Sequence, residues 1–225
     1  MTAKAVSLGE IIGEARTLAG QHRTILAATI VVIAAAYSAL DWLEMSIKDR
    51  GGVVLLSSLI GLVVSLFAQY RITEHLIADH LLPGRQVRSY GSLFGALLLS
   101  GFAITAGIIV LVLPGIYLAG RWLTATPRVV MGNMGGTEAL RESWADSEQS
   151  QFAFSVATTL SMAPILSLLG AAYLATSDLS PGANLALDVA LNLIVGLTSV
   201  LGWTVAASAF RCVVANPSEF EQVFS

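Results

Sequence analysis

Residues 92–113 read SLFGALLLSGFAITAGIIVLVL, an unbroken run of 22 residues without a single charge. A helix of that length covers about 33 Å, enough to cross a ~30 Å hydrocarbon layer. In water such a run finds no polar face. It therefore limits the chain to a membrane or to the centre of a very large core. Composition selects the membrane: 55% of residues are hydrophobic and only 12% are charged, against about 25% charged in soluble domains.

Further apolar segments lie near 25–43, 53–70, 115–131, 152–176 and 185–211. With 92–113 they predict an all-α, polytopic six-helix transmembrane bundle, formed by residues 1–225 as a single membrane domain. They are too long and too evenly apolar for barrel strands, which alternate over ~10 residues. The segment at 115–131 is the shortest and needs tilt or shielding by neighbours.

Orientation follows from lysine and arginine. With the N-terminus cytoplasmic, Lys4, Arg16, Arg23, Arg71, Arg85, Arg88, Arg121, Arg128, Arg141 and Arg211 fall on the inner side, and only Lys48 and Arg50 outside. This bias predicts both termini in the cytoplasm. The net charge of -3 argues against nucleic acid as a partner. The single Cys212 excludes an internal disulfide. The first 24 residues show no signal-peptide pattern, so the first span is expected to be retained.

Interfacial helices are also predicted. Ser7 and Glu10 fit a capping box ahead of an amphipathic arm over 5–22, with Leu8, Ile11, Ile12, Ala15 and Leu18 on one stripe. Thr137 is a second cap, before a helix carrying Leu140 and Trp144. Ser218 and Glu221 suggest a third, carrying Phe220 and Phe224. Each reads as a lid on the bundle ends or as a docking surface. Small residues at four-residue spacing, Ser57-Gly61-Ser65, Ala103-Gly107 and Gly202-Ala206, suit close helix approach. Pro164 predicts a kink in the fifth segment, with Thr158, Thr159 and Ser161 beside it to bond freed carbonyls.

The stretch from 111 to 132, LVLPGIYLAGRWLTATPRVVMG, combines a Pro-Gly pair with two arginines. Pro114-Gly115 reads as a tight extracytoplasmic hairpin. Pro83-Gly84 and Pro181-Gly182 fall at other predicted loops. Arg128 lies near the cytoplasmic end of its segment and can snorkel. Arg121 lies six residues beyond Gly115, about 9 Å along a helix, within the hydrocarbon layer. Ionisable residues there face a bundle or a wet cavity and have partners. Asp188 and Asn192, four apart on one helix face, are the first choices; Asp41 and Glu44 are the second. Arg121 is then either a structural polar clamp or a site for an anionic headgroup, with Arg128, Asp188 and Asn192 as associated candidates.

The same stretch, followed by GTEALRESW, resembles the signature of the glycerophosphodiester phosphodiesterase membrane-domain family and related bacterial inner-membrane proteins. The matching residues are Pro114-Gly115-Ile116-Tyr117, Arg121-Trp122, Pro127, Val129-Val130, Ala139-Leu140 and Ser143-Trp144. Where that family often has an acidic residue after the apolar pair, this chain has Met131-Gly132-Asn133. Its catalytic members carry a fused barrel of ~250 residues, for which this chain has no room. The resemblance implies a membrane module of a bacterial inner membrane; it does not imply hydrolysis.

Catalytic motifs are weak. In TEHLIADH, residues 73–80, His75 and Asp79 are four apart, but this is not the HExxH zinc pattern. No GxSxG, P-loop or CxxC occurs. Asp146 and Glu148 read as solvated loop residues. The reading is a non-catalytic membrane module, with no cofactor and no metal. It binds or moves lipid-like amphiphiles, or organises membrane partners, and membrane lipids, other membrane proteins or further copies of the chain are its partners. The alternative is a membrane enzyme acting on lipid headgroups.

Overall fold

The computed structural model describes residues 5–47, 50–81, 90–132, 134–167 and 181–214. Lys4, Lys48, Pro83-Gly84, Arg85, Arg88, Asn133 and the predicted third interfacial helix lie outside these residues. The described residues form an all-α structure without strands. The helices are α1 (Leu8–Gln21), α2 (Arg23–Ser46), α3 (Arg50–Leu76), α4 (Tyr90–Val110), α5 (Val112–Arg121), α6 (Ala125–Met131), α7 (Gly136–Asp146), α8 (Gln151–Ser161) and α9 (Pro181–Val213). A 3₁₀ turn covers Ala78–His80, and helical backbone resumes over 163–167.

Helices α2, α3, α4 and α9 are each long and apolar enough to cross a membrane, which makes the chain a membrane protein. The other two predicted spans break. The fourth splits at Trp122–Thr124 into α5 and α6, of 10 and 7 residues. The fifth is interrupted at Met162, whose N–H donates to the carbonyls of Thr158 and Thr159. None of α5, α6 or α8 alone reaches the ~20 residues that a crossing needs. Met162 falls two residues before Pro164, whose missing N–H leaves the Leu160 carbonyl without its helical donor, and the Thr158, Thr159 and Ser161 hydroxyls donate to carbonyls one turn back.

The Pro114-Gly115 reversal is corrected. The chain turns at Leu111, in extended conformation (φ -161°, ψ 137°), and α5 begins two residues before Pro114. Proline fits there because N–H groups in the first helical turn have no intrahelical partner. Gly115 serves close packing. A Cβ on it would lie 2.8 Å from the Ile108 backbone nitrogen, and one on Gly107 would lie 3.0 Å from the Gly115 Cα. Gly61 likewise admits the Tyr37 ring, whose hydroxyl donates to the Gly61 carbonyl at 3.3 Å.

The capping box of α1 forms as the sequence predicts. Glu10 N–H donates to Ser7 Oγ, and Ser7 N–H donates to the Glu10 carboxylate. Ile11 and Leu18 are fully buried, so α1 packs against the bundle, chiefly on α9. Val6 N–H donates to Ser150 Oγ at 2.7 Å, tying it to the start of α8. In α7 the cap is Gly135, with Thr137 inside the helix.

Candidate functional site

The site is built where the broken helices meet. Four residues separate Tyr117 from Arg121, which places them on one face of α5. Arg121 Nε donates to Tyr117 Oη at 2.9 Å. Its Nη1 reaches the Trp144 carbonyl and Ser147 Oγ, each at 3.3 Å. The guanidinium carbon stands 4.8 Å from the Trp144 ring centre and 5.1 Å from that of Tyr117. Trp122 flanks Trp144 at 6.2 Å between ring centres. Stacking on aromatic faces contributes roughly 0.5–2 kcal/mol per cation, more as water is excluded.

The predicted pairing of Arg121 with Asp188 or Asn192 does not form. Asn192 Nδ2 donates to Asp41 Oδ2 at 2.7 Å and to Ser38 Oγ at 3.2 Å, joining α9 to α2. Glu44, the other second choice, accepts from Ser57. Asp188 is half-buried and makes no hydrogen bond or ion pair with Arg121 among the described residues. The physical reason is the helix break, because α5 ends at Arg121 and turns its side chain onto α7 rather than α9. Among the described residues no carboxylate pairs with Arg121.

Arg128 is held differently. Its Nε donates to Asp146 Oδ2 at 2.9 Å and its Nη2 to Oδ1, a two-pronged pair. Asp146, expected to be solvated, is 4% exposed. Thr124 Oγ1 lies 2.8 Å from Asp146 Oδ2 and 2.9 Å from Ser143 Oγ. Ser143 Oγ also accepts the Thr124 N–H and donates to the Arg121 carbonyl. Thr124 and Arg128 share one face of α6, and Ser143, Asp146 and Ser147 one face of α7. This spacing was the available sequence signal for the network.

Arg121, Trp122, Leu140, Arg141, Trp144, Ala145 and Glu148 line an open groove of about 510 Å³. Its lining carries two arginines and one glutamate. The nearby carboxylate Glu142 is only 3.5 Å from Arg141 Nη2, in an exposed pair.

A second polar cluster ties α1, α3 and α9 together. Arg211 Nε donates to Glu14 at 2.6 Å, and its Nη1 donates to Asp79 and to the Leu76 carbonyl. His80 Nδ1 is 2.9 Å from Asp79 Oδ1. Burial alone pushes the Asp79 carboxyl up, but hydrogen bonds from His80 and Arg211 outweigh it and hold the group below its ordinary range. The His22 and His75 rings meet edge-on at 4.7 Å. Burial, then the charges of His75 and Arg211, lower the His22 pKa against an opposing pull from Asp79. His75 thus turns to His22 instead of sharing a face with Asp79. Among the described residues no group of three or more His, Cys, Asp or Glu side chains is arranged to hold a metal.

Comparison with known proteins found no matching family model, no matching curated protein and no matching solved structure.

Proposed function

We propose that the chain is a non-catalytic membrane module that binds lipid-like amphiphiles, with an anionic headgroup seated in the Arg121 groove. The observation that carries this reading is the state of Arg121. Its guanidinium is aimed by Tyr117 and Trp144, and no carboxylate neutralises it among the described residues. An arginine facing lipid costs about 2.5–3.5 kcal/mol on insertion scales, so a cation built into a membrane chain without a countercharge favours an external anion. Its planar fork suits phosphate or carboxylate oxygens, and Nη2 makes no hydrogen bond among the described residues. Arg141, in an exposed pair with Glu142, lines the same groove.

The motif resemblance supports a membrane module of a bacterial inner membrane, and the basic-residue bias supports both termini cytoplasmic. Arg128, by contrast, is committed to Asp146 and belongs to the scaffold of the groove. The test is lipid retention in native mass spectrometry from mixed phosphatidylglycerol and phosphatidylcholine. Arg121→Gln with Arg141→Gln should remove one bound phosphatidylglycerol per chain, and Arg121→Lys should keep part of its occupancy. An unchanged number of bound phosphatidylglycerol molecules in the Gln pair sinks the assignment.

A further inference from the structure

A second groove, of about 490 Å³, lies between α1, α2, α8 and α9, far more apolar than the first. Its walls include Ile12 and Ala19 of α1, Ile30 of α2, Leu160 of α8, and Leu197 and Leu201 of α9. The three leucines are between 37% and 52% exposed, so the trough is open and greasy. It has a direction. Arg23 is the first residue of the membrane-length helix α2, and Ile30 lies seven residues deeper, about 10 Å along the axis. There α2 and α9 close on each other, since a Cβ on Gly196 would lie 2.9 Å from the Ile30 carbonyl oxygen. From Val205 to Leu197 the α9 wall runs about 12 Å, close to the ~15 Å of one leaflet's hydrocarbon.

The charges sit at the open end. Arg16 and Arg23 both line the groove, both are exposed, and neither pairs with a carboxylate among the described residues. Glu14, the acid nearest to Arg16 on α1, is engaged by Arg211 at 2.6 Å. The result is an apolar slot one leaflet deep with two unneutralised cations at its mouth. That is the complement of an acyl chain joined to a phosphate.

We propose that this groove holds one acyl chain of an anionic phospholipid from the leaflet on the α1 side, with its phosphate between Arg16 and Arg23. The inference rests on the reading of the chain as a lipid-binding membrane module but concerns a separate site. It gives α1 a role besides bracing: its buried edge, Ile11 and Leu18, holds the bundle, while Ile12, Ala15 and Ala19 face the lipid.

The test uses the full chain in nanodiscs of roughly equal phosphatidylglycerol and phosphatidylcholine, extracted and read by native mass spectrometry. A near-surface arginine contributes about five-fold to anionic-lipid binding, so Arg16→Gln with Arg23→Gln should weaken retention of phosphatidylglycerol by about thirty-fold. Arg16→Lys with Arg23→Lys should restore most of it, which separates lost charge from lost fold. Leu201→Trp, or Ile12→Trp from the α1 side, should expel the chain and lower retention of both lipids with the arginines intact. Arg121→Gln should leave this lipid in place, so failure here and failure at the Arg121 groove are read apart. Retention unaffected by both tryptophans would mean general surface attraction and would overturn the proposal. So would a lipid-free dimer dispersed by Leu201→Trp, because a second copy would then fill the groove.

Discussion

Asp146→Leu should be among the most damaging single changes in the chain. The Arg128 and Asp146 side chains are 15% and 6% exposed, and the carboxylate takes two Arg128 donors and faces the Thr124 hydroxyl. Removing it strands a buried cation and weakens the cap on the α5–α6 junction. Breaking a buried pair from one side costs roughly 3–5 kcal/mol. For a chain of this size each kcal/mol moves the midpoint by about 2–4 °C, so the apparent Tm in detergent should fall by about 6–20 °C. Arg128→Leu should cost somewhat less, because the stranded carboxylate keeps Thr124 near it. The double variant removes both charges and should recover a large part of the loss, as replacement of buried pairs by apolar groups often does. The assay is a double-mutant cycle followed by thermal unfolding. A double variant whose loss equals the sum of the two singles would refute the argument, since it would mean that the charges act independently.

Three further outcomes follow from local geometry. Gly132 ends α6 with φ 125° and ψ 157°, a region essentially reserved for glycine, so Gly132→Ala should cost about 1–3 kcal/mol, read as a lower midpoint in thermal unfolding. A Cβ at Gly120 would lie 2.9 Å from the Ser155 nitrogen, so Gly120→Ala should cost about 1–3 kcal/mol and weaken the Gln151 bond to the Tyr117 carbonyl, detectable as faster amide exchange in α5. The lowered His22 pKa means that the unfolded chain takes up its proton first; that stability is present above the free-histidine value of about 6.5 and is lost progressively as pH falls from there through the lower folded value. Thermal midpoints should therefore drop between neutral and mildly acidic pH, and His22→Asn should flatten the drop.

Much of the fold was legible. Apolar length alone located α2, α3, α4 and α9, because a run such as 92–113 has no other stable fate. Ser7 and Glu10 announced the start of α1, since capping is a local interaction. Gly61 and Gly107 marked close helix contacts because small residues at four-residue spacing let helices approach. The site was legible only in part. Arg121 and Arg128 stood out as charges in apolar sequence, but their surroundings depend on where α5 and α6 break, and Trp122–Thr124 contains neither glycine nor proline. Asp146 looked solvated because nothing local shows that α7 folds back onto α6.

The break has a sequence signal of a different kind. Pro114 lies in the first turn of α5, Pro127 in the first turn of α6, Pro164 at the start of the helical residues 163–167, and Pro181 opens α9. Each proline sits where a helix begins and its missing N–H costs nothing. In this chain Pro114 and Pro127, both inside an apolar run, each fall in the first turn of a separate helix. New helix ends within a membrane bundle expose backbone groups that lipid cannot satisfy, and the polar side chains nearby answer that need. Ser143 accepts the Thr124 N–H and donates to the Arg121 carbonyl. Gln151 donates to the Tyr117 carbonyl at 2.9 Å, and Arg121 donates to the carbonyl of Trp144. Arg121 thus finds its partners in backbone oxygen and aromatic faces, which orient a cation without neutralising it. A carboxylate at matching depth would have been a sufficient partner for an arginine in an unbroken span. Once α5 ends at Arg121, the helix ends supply the contacts, and the positive charge keeps no carboxylate partner among the described residues.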